Sequence, residues 1–339
     1  MDFRLLENRR EAFIRYFVWQ LRTTDCDPSI AMMNYIFKRM EFNLEQKLWL
    51  CWLYGNTYYL PTSYVIWNEF PDCENVDIER LTEWNNKNYS KLRYQTDTKW
   101  SKGYLPQMFE SYRKSVGLDQ TSIFRELTKS SDPNENYDNV WKFVEKNFYK
   151  FGRYCTWFYI QSLKECVGLN IEPRSLLFND SGSESHRDGM CYVTGKDDWT
   201  SRYHENGKKI YRTVDYKDKV DYLQNKADGI INEIKQRFPD VAKDANYFRM
   251  ETSLCAFKKF FRKRQGRYAG FYLDRQAEEI RKVESDGWNG VNWELCWDYR
   301  KECLIPELAP RDAKVNPKRM ETFLDTGDIP ELRMFKDLT

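Results

Sequence analysis

The 339 residues carry 54 Lys and Arg against 52 Asp and Glu, a net charge of +2, so any nucleic-acid footprint must be a local patch rather than a global basic signature. Aromatics reach 17%, enough for a core and for stacking surfaces besides; nine scattered cysteines without CxxC spacing and only two histidines argue against a disulfide framework or a structural zinc site. No apolar run reaches membrane-spanning length and the start lacks a signal-like apolar segment, which predicts a soluble, cytoplasmic protein with no membrane partner.

Apolar spacing predicts a helix over 4–23, with Phe13, Phe17 and Leu21 on one face. Asp27-Pro28 starts a second, and Asn43 with Gln46 forms a capping box for a third, which Gly55 is expected to end. Pro61 opens a short aromatic helix to Phe70, and Asp77 caps another running to about Leu92. Residues 84–104 change character. Trp84, Tyr94 and Trp100 alternate with Lys87, Arg93 and Lys99, a pattern that fits a phosphate backbone with exposed bases, although such a run taken alone reads first as a solvated helix end and loop. Further helices are predicted at about 105–116, closed by Gly117, then at 121–129, 134–150 and 154–167, the last ending at Gly168.

The stretch Phe178–Gly189 (F-N-D-S-G-S-E-S-H-R-D-G) sets Asp180, His186 and Arg187 among two glycines between greasy helices. It reads either as a helix cap, with Ser183 or Ser185 in that role, or as a site. A polar, irregular excursion spans 196–215, with Asn206-Gly207 as a hairpin signal, and an amphipathic helix covers roughly 216–237 until Pro239. From Asp244 to Arg264 the pattern is helical again. Glu251, Lys258 and Arg262 share one face, and Lys258, Lys259, Arg262 and Arg267 belong to the strongest basic cluster. Residues 283–339 read as a packing extension and a loosely ordered tail. The fold class is therefore mainly α, one multi-helical body. We expect a catalytic body over 1–282, divided into an N-terminal helical half to about 150 and a catalytic half at about 151–282, with a C-terminal extension at 283–339.

No G-x-G-x-x-G, P-loop or H-E-x-x-H pattern is present, which disfavours dinucleotide, Walker-type nucleotide and zincin chemistry. Ser181, His186 and Asp188 have triad residue types but sit on one turn, whereas triad members converge from separate elements.

The chain resembles the α-glutamyl/putrescinyl thymine pyrophosphorylases, clade 2, phage-encoded amino acid:DNA transferases. The likeness lies in R-R-E-A-F, W-L-Y-G-N-T-Y, V-I-W-N-E-F-P, W-N-N-K-N-Y-x-x-L-R-Y-Q-T-D-T-K-W, K-F-G-R-Y-x-x-W-F-Y, D-S-G-S-x-S-H-R-D-G, M-E-T-x-L-C-x-F-K-K and G-R-Y-x-G-F-Y-L-D-R. These blocks run in order from about residue 8 to about residue 280. The resemblance implies, by analogy alone, a helical fold distantly like that of helix-hairpin-helix DNA glycosylases. It implies double-stranded phage DNA in which hydroxymethyluracil has been pyrophosphorylated, and an amino acid or polyamine that displaces pyrophosphate.

Such a reaction needs a flipped base, cations for the leaving group and a base for the amine. Asp180, His186 or Glu251 is the candidate base. Lys258, Lys259, Arg262 and Arg267 are candidates for the leaving group, with a divalent cation such as Mg as an alternative counter-charge. Arg187 or Arg153 suits a substrate carboxylate. Trp84, Tyr94, Trp100 or Trp157 suits base stacking, and Lys87, Arg93 and Lys99 suit the DNA backbone. Two rival readings stand beside this one: a glycosylase-like enzyme, and a non-catalytic DNA-binding module.

Overall fold

The computed structural model describes residues 1–205, 208–261, 271–316 and 323–339. Among them are fourteen α-helices and one antiparallel hairpin, so the fold is mainly α, as expected. No helix among the described residues is long and apolar enough to cross a membrane.

Helices begin where the sequence supplies caps. Asn43 accepts from the Gln46 amide (2.9 Å) while the Gln46 side chain accepts from the Asn43 amide (3.0 Å), opening α3 (Leu44–Thr57). Asp77, Asp119 and Asp132 cap α5 (Ile78–Asn88), α7 (Gln120–Leu127) and α8 (Pro133–Asn147), each side chain accepting one backbone amide of its helix's first turn. Gly117, with φ +66°, follows α6 (Leu105–Val116), and Gly168, with φ +82°, ends the π-turn that extends α9 (Arg153–Ser162). The hairpin falls inside the predicted excursion, pairing β1 (Arg202–Glu205) with β2 (Lys208–Tyr211); its turn, Asn206-Gly207, lies outside the described residues.

Two compact units are interleaved along the chain. One comprises Met1–Pro28, Ser175–Gln276 and Leu304–Thr339; the other comprises Ser29–Arg174 and Ala277–Cys303. This grouping follows a different path from consecutive halves meeting at about residue 150.

In the second unit α3 packs against α4 (Leu60–Glu69) and α9. Gly55 does not end α3, contrary to expectation. The helix continues to Thr57, and Tyr58 takes the left-handed cap conformation with φ +44°. Gly55 is instead a crossing point. A Cβ built on it would lie 2.7 Å from the Tyr159 Cβ and 2.9 Å from the Phe151 ring. The signal misleads because a packing glycine and a capping glycine look alike without the partner helix. Around this crossing the core is aromatic: the Trp52 ring lies 4.8 Å from Tyr112 and 6.3 Å from Phe151.

The first unit is built on α1 (Leu6–Thr23), α10 (Glu184–Val193), α11 (Val220–Arg237) and α12 (Tyr247–Phe257). Asn246 caps α12, which tightens into a 3-10 turn over Lys258–Phe261 and so ends as an α-helix earlier than Arg264. Phe13 on α1 meets Phe257 edge-on at 5.3 Å. The C-terminal segment packs into the same unit. Phe323, Ile329, Leu332 and Leu338 are buried, Phe3 N donates to the Gly327 carbonyl (2.8 Å), and Arg22 bridges Asp240 and Asp337. The expected loose tail is therefore ordered wherever it is described, because its apolar residues complete this unit's core.

Candidate active site

The site grows from the crossing of α10 with α12. Gly189 makes that crossing possible. A Cβ there would stand 2.3 Å from the Leu254 carbonyl oxygen, a distance no side chain tolerates. The close approach carries His186, one turn earlier on α10, against Glu251 on α12. The His186 Nδ1 lies 3.1 Å from Glu251 Oε1, and both residues are buried.

The turn before α10 orients the imidazole. Leu177 sits in the left-handed region at φ +54°, a conformation that strains a leucine by about 1–3 kcal/mol. Its neighbours hold it there: the Leu177 amide donates to Ser175 Oγ (3.2 Å), and its carbonyl accepts from the Asp180 amide (2.9 Å) and Ser183 Oγ (2.5 Å). Beside this kink the Leu176 carbonyl accepts from His186 Nε2 at 2.8 Å. A carbonyl can only accept, so Nε2 carries a proton, and Nδ1 faces the carboxylate. Nδ1 makes no hydrogen bond despite its proximity to Glu251.

Glu251, Cys255 and Lys258 follow one another at i, i+4 and i+7, on one face of α12 and its terminal turn. The Cys255 Sγ is 3.8 Å from Glu251 Oε1; burial first, and then the Glu251 charge, push its thiol up to about 12. Lys258, buried, donates to Ser185 Oγ. Lys259, also buried, donates to the Tyr272 hydroxyl at 2.9 Å. Arg262 and Arg267 lie outside the described residues.

Asp180 caps its own turn, accepting from the Gly182 amide at 2.8 Å. Ser183 precedes α10 without a side-chain cap bond, its hydroxyl serving Leu177 instead. Arg187 pins the turn from the other side. Its Nη1 donates to the carbonyls of Phe178 (2.7 Å) and Asp180 (3.3 Å), and its guanidinium rests 3.8 Å from the centre of the Tyr216 ring. Asp188 accepts from the Ser201 amide (2.7 Å) and hydroxyl (3.0 Å), anchoring the approach to the hairpin; burial pushes its carboxyl above the usual range.

The structure thus gathers Asp180, His186, Arg187, Glu251, Lys258 and Lys259 into the first unit, and His186 with Glu251 into direct contact. Sequence reasoning misses two contributors. Cys255 carries a legible signal, its i+4 spacing from Glu251; the Leu176 carbonyl carries none, being backbone.

The other candidates belong to the second unit. Trp84 packs between Phe70 (5.7 Å) and Trp288 (5.8 Å). Arg93 forms a two-pronged pair with Asp286, both contacts at 2.9 Å, and Tyr94 is buried. Lys87, Lys99 and Trp100 are exposed, with Trp100 Nε1 donating to the Asp97 carbonyl at 3.0 Å. Beside them Lys102 covers the Tyr89 ring at 4.3 Å and Lys150 covers Tyr104 at 3.6 Å, so cations and rings do meet on this surface. Arg153 lies 5.3 Å from the ring centre of Trp157, which is fully buried.

The family model described as "Amino acid:DNA transferase" matches residues 22–265, most of the chain, and the protein belongs to that family. It is also similar to a serinyltransferase of Salmonella phage ViI, 25% identical over 351 residues, covering 96% of this chain and 83% of the relative. No solved structure matches.

Proposed function

Starting from this membership, we propose that the enzyme joins an amine to a pyrophosphorylated 5-hydroxymethyluracil in phage DNA, in the cytoplasm of the infected host. The amine nitrogen of an amino acid or polyamine attacks the 5-methylene carbon. A C–N bond forms as the C–O bond breaks, pyrophosphate leaves with the bonding pair, and the nitrogen loses one proton. That proton goes to His186 Nδ1, with Glu251 stabilising the imidazolium. Lys258, already inside the crossing, meets the charge that grows on the leaving pyrophosphate. Arg187, whose buried Nε makes no hydrogen bond, is our candidate for a co-substrate carboxylate. The lysine–aromatic surface bearing Lys87, Lys99 and Trp100 holds the DNA.

One observation carries this reading. Two helices distant in sequence deliver an imidazole and a carboxylate to one buried point, 3.1 Å apart, with a buried lysine following the carboxylate on its own helix face. The name of the phage ViI relative makes serine the first amine to test.

The test is direct. Pyrophosphorylated hydroxymethyluracil DNA is incubated with protein and serine, then with a panel of amino acids and polyamines, and the digested nucleosides are weighed. The expected result is released pyrophosphate and an aminated nucleoside, with the rate falling by about 10²–10⁴ in His186→Asn. No new nucleoside with any amine would overturn the reading, and abasic sites would support glycosylase chemistry instead. Titrating magnesium separates a leaving-group site made by lysines alone from one that shares the charge with a cation.

A further inference from the structure

We infer that His186 Nδ1, the Glu251 carboxylate and the Cys255 sulfur form a binding site for one divalent cation of the zinc class, with a fourth position open. The three ligand atoms lie within 4.8 Å of one another, at 3.1 Å for nitrogen to oxygen and 3.8 Å for oxygen to sulfur. A tetrahedral zinc-class ion, with bonds of roughly 2.0–2.3 Å, places such ligands about 3.3–3.6 Å apart. The observed spacing brackets that range, so small side-chain adjustments bring the set together.

Three features point to a cation rather than a casual cluster. The Nδ1 of a wholly buried histidine faces the Glu251 carboxylate at 3.1 Å without a hydrogen bond. At that distance a shared proton or a metal ion is what relieves the repulsion between two electron-rich groups, and the cobalt titration below tells the two apart. The other ring nitrogen donates to a backbone carbonyl, the outer contact that fixes a metal-binding histidine in its tautomer. Finally, Glu251 and Cys255 sit at i and i+4 on one helix, and Cys255 is only partly buried, which leaves an approach for the ion and a place for a fourth ligand. The mix of imidazole, carboxylate and thiolate suits zinc or cobalt over magnesium.

The functional consequence rests on the reading above. Cation and transferred proton use the same lone pair of Nδ1, so an occupied site cannot accept the amine proton. Binding itself does not depend on that reading and is measured without DNA or amine.

Cobalt(II) is titrated into the full chain and followed by absorbance. The expected result is one ion per chain with a thiolate-to-cobalt charge-transfer band in the near ultraviolet. Cys255→Ser, nearly isosteric and at the partly exposed position, removes the band, with circular dichroism checking that the fold persists. Glu251→Gln weakens binding by at least about tenfold, the scale on which even the outer partners of a metal site act. Absence of the band in the wild type, or its survival in Cys255→Ser, overturns the site and leaves the transferase reading untouched. Wild-type protein that binds cobalt but forms no aminated nucleoside with any amine in magnesium buffer free of transition metals sinks the transferase reading alone.

Discussion

Two helix crossings in this protein use the same device and carry different contents. At Gly55, α3 meets α9 with room for no methyl group, and the surroundings are rings: Trp52, Phe151 and Tyr159. At Gly189, α10 meets α12 just as closely, and the surroundings are His186, Arg187, Asp188, Glu251 and Lys258. A buried aromatic core gains from proximity through packed area alone. A buried set of ionisable groups loses solvation on the same approach, and persists only where partners or function repay it. The difference separates a crossing that stabilises from the one proposed to react, although both present only a glycine in the sequence.

Substituting each glycine tests that separation. Gly189→Ala places a methyl against the Leu254 main chain, pushing α10 off α12 and His186 away from Glu251. Nucleoside analysis is expected to show the transfer rate reduced about 100-fold, the scale of an ångström-level misplacement of catalytic groups. Comparable loss in Gly55→Ala, per folded molecule, would erase the distinction. Gly55→Ala is expected to lower stability by about 1–3 kcal/mol through overpacking against Tyr159, read as a shifted denaturant midpoint, with activity retained in the folded fraction.

The smallest expected effect concerns acid. Glu11 accepts from Arg15 and twice from Arg237, all at 2.8 Å, and the Arg237 hydrogen bond foremost holds its carboxyl down at about 2, against 4.5 ordinarily. A carboxyl lowered on folding adds stability that is complete above the ordinary value and fades as pH falls from about 4.5 toward 2. Because Glu11 is only partly shielded, Glu11→Gln is expected to cost about 1 kcal/mol at pH 7. The gap between variant and wild-type melting temperatures should close as the pH approaches 2. A gap that stays constant with pH would show that the pair does not titrate as described.

Local features of the fold were legible because local chemistry determines them. Asn43 with Gln46, Asp77 and Asp132 declared their helices, and Gly117 and Gly168 declared the ends, since a cap is satisfied by residues a few positions away. The hairpin at 202–211 was legible for the same reason. His186 and Glu251 were each visible as candidates, whereas their contact was not. It depends on a glycine crossing, on a left-handed leucine and on a backbone carbonyl, none of which has a spacing to read. Arg93 illustrates the converse: a cation that read as a backbone-binding residue has Asp286, nearly two hundred positions away, for a partner. The interleaving of the two units lay beyond reach, because it is a property of which cores the distant segments complete.

That interleaving bears on how the protein comes into being. The unit that holds His186 and Glu251 includes both Met1–Pro28 and Leu304–Thr339, and the second of these is made after every other segment of the two units. Phe3 and Arg4 bind backbone carbonyls at Gly327, Leu324 and Asp325, contacts that close almost the whole length of the polypeptide. Pairings of such separation form late, after the entropy of a very long loop has been overcome. The apolar face of α1 must therefore wait through synthesis for these partners, and until they arrive it is exposed to misassembly.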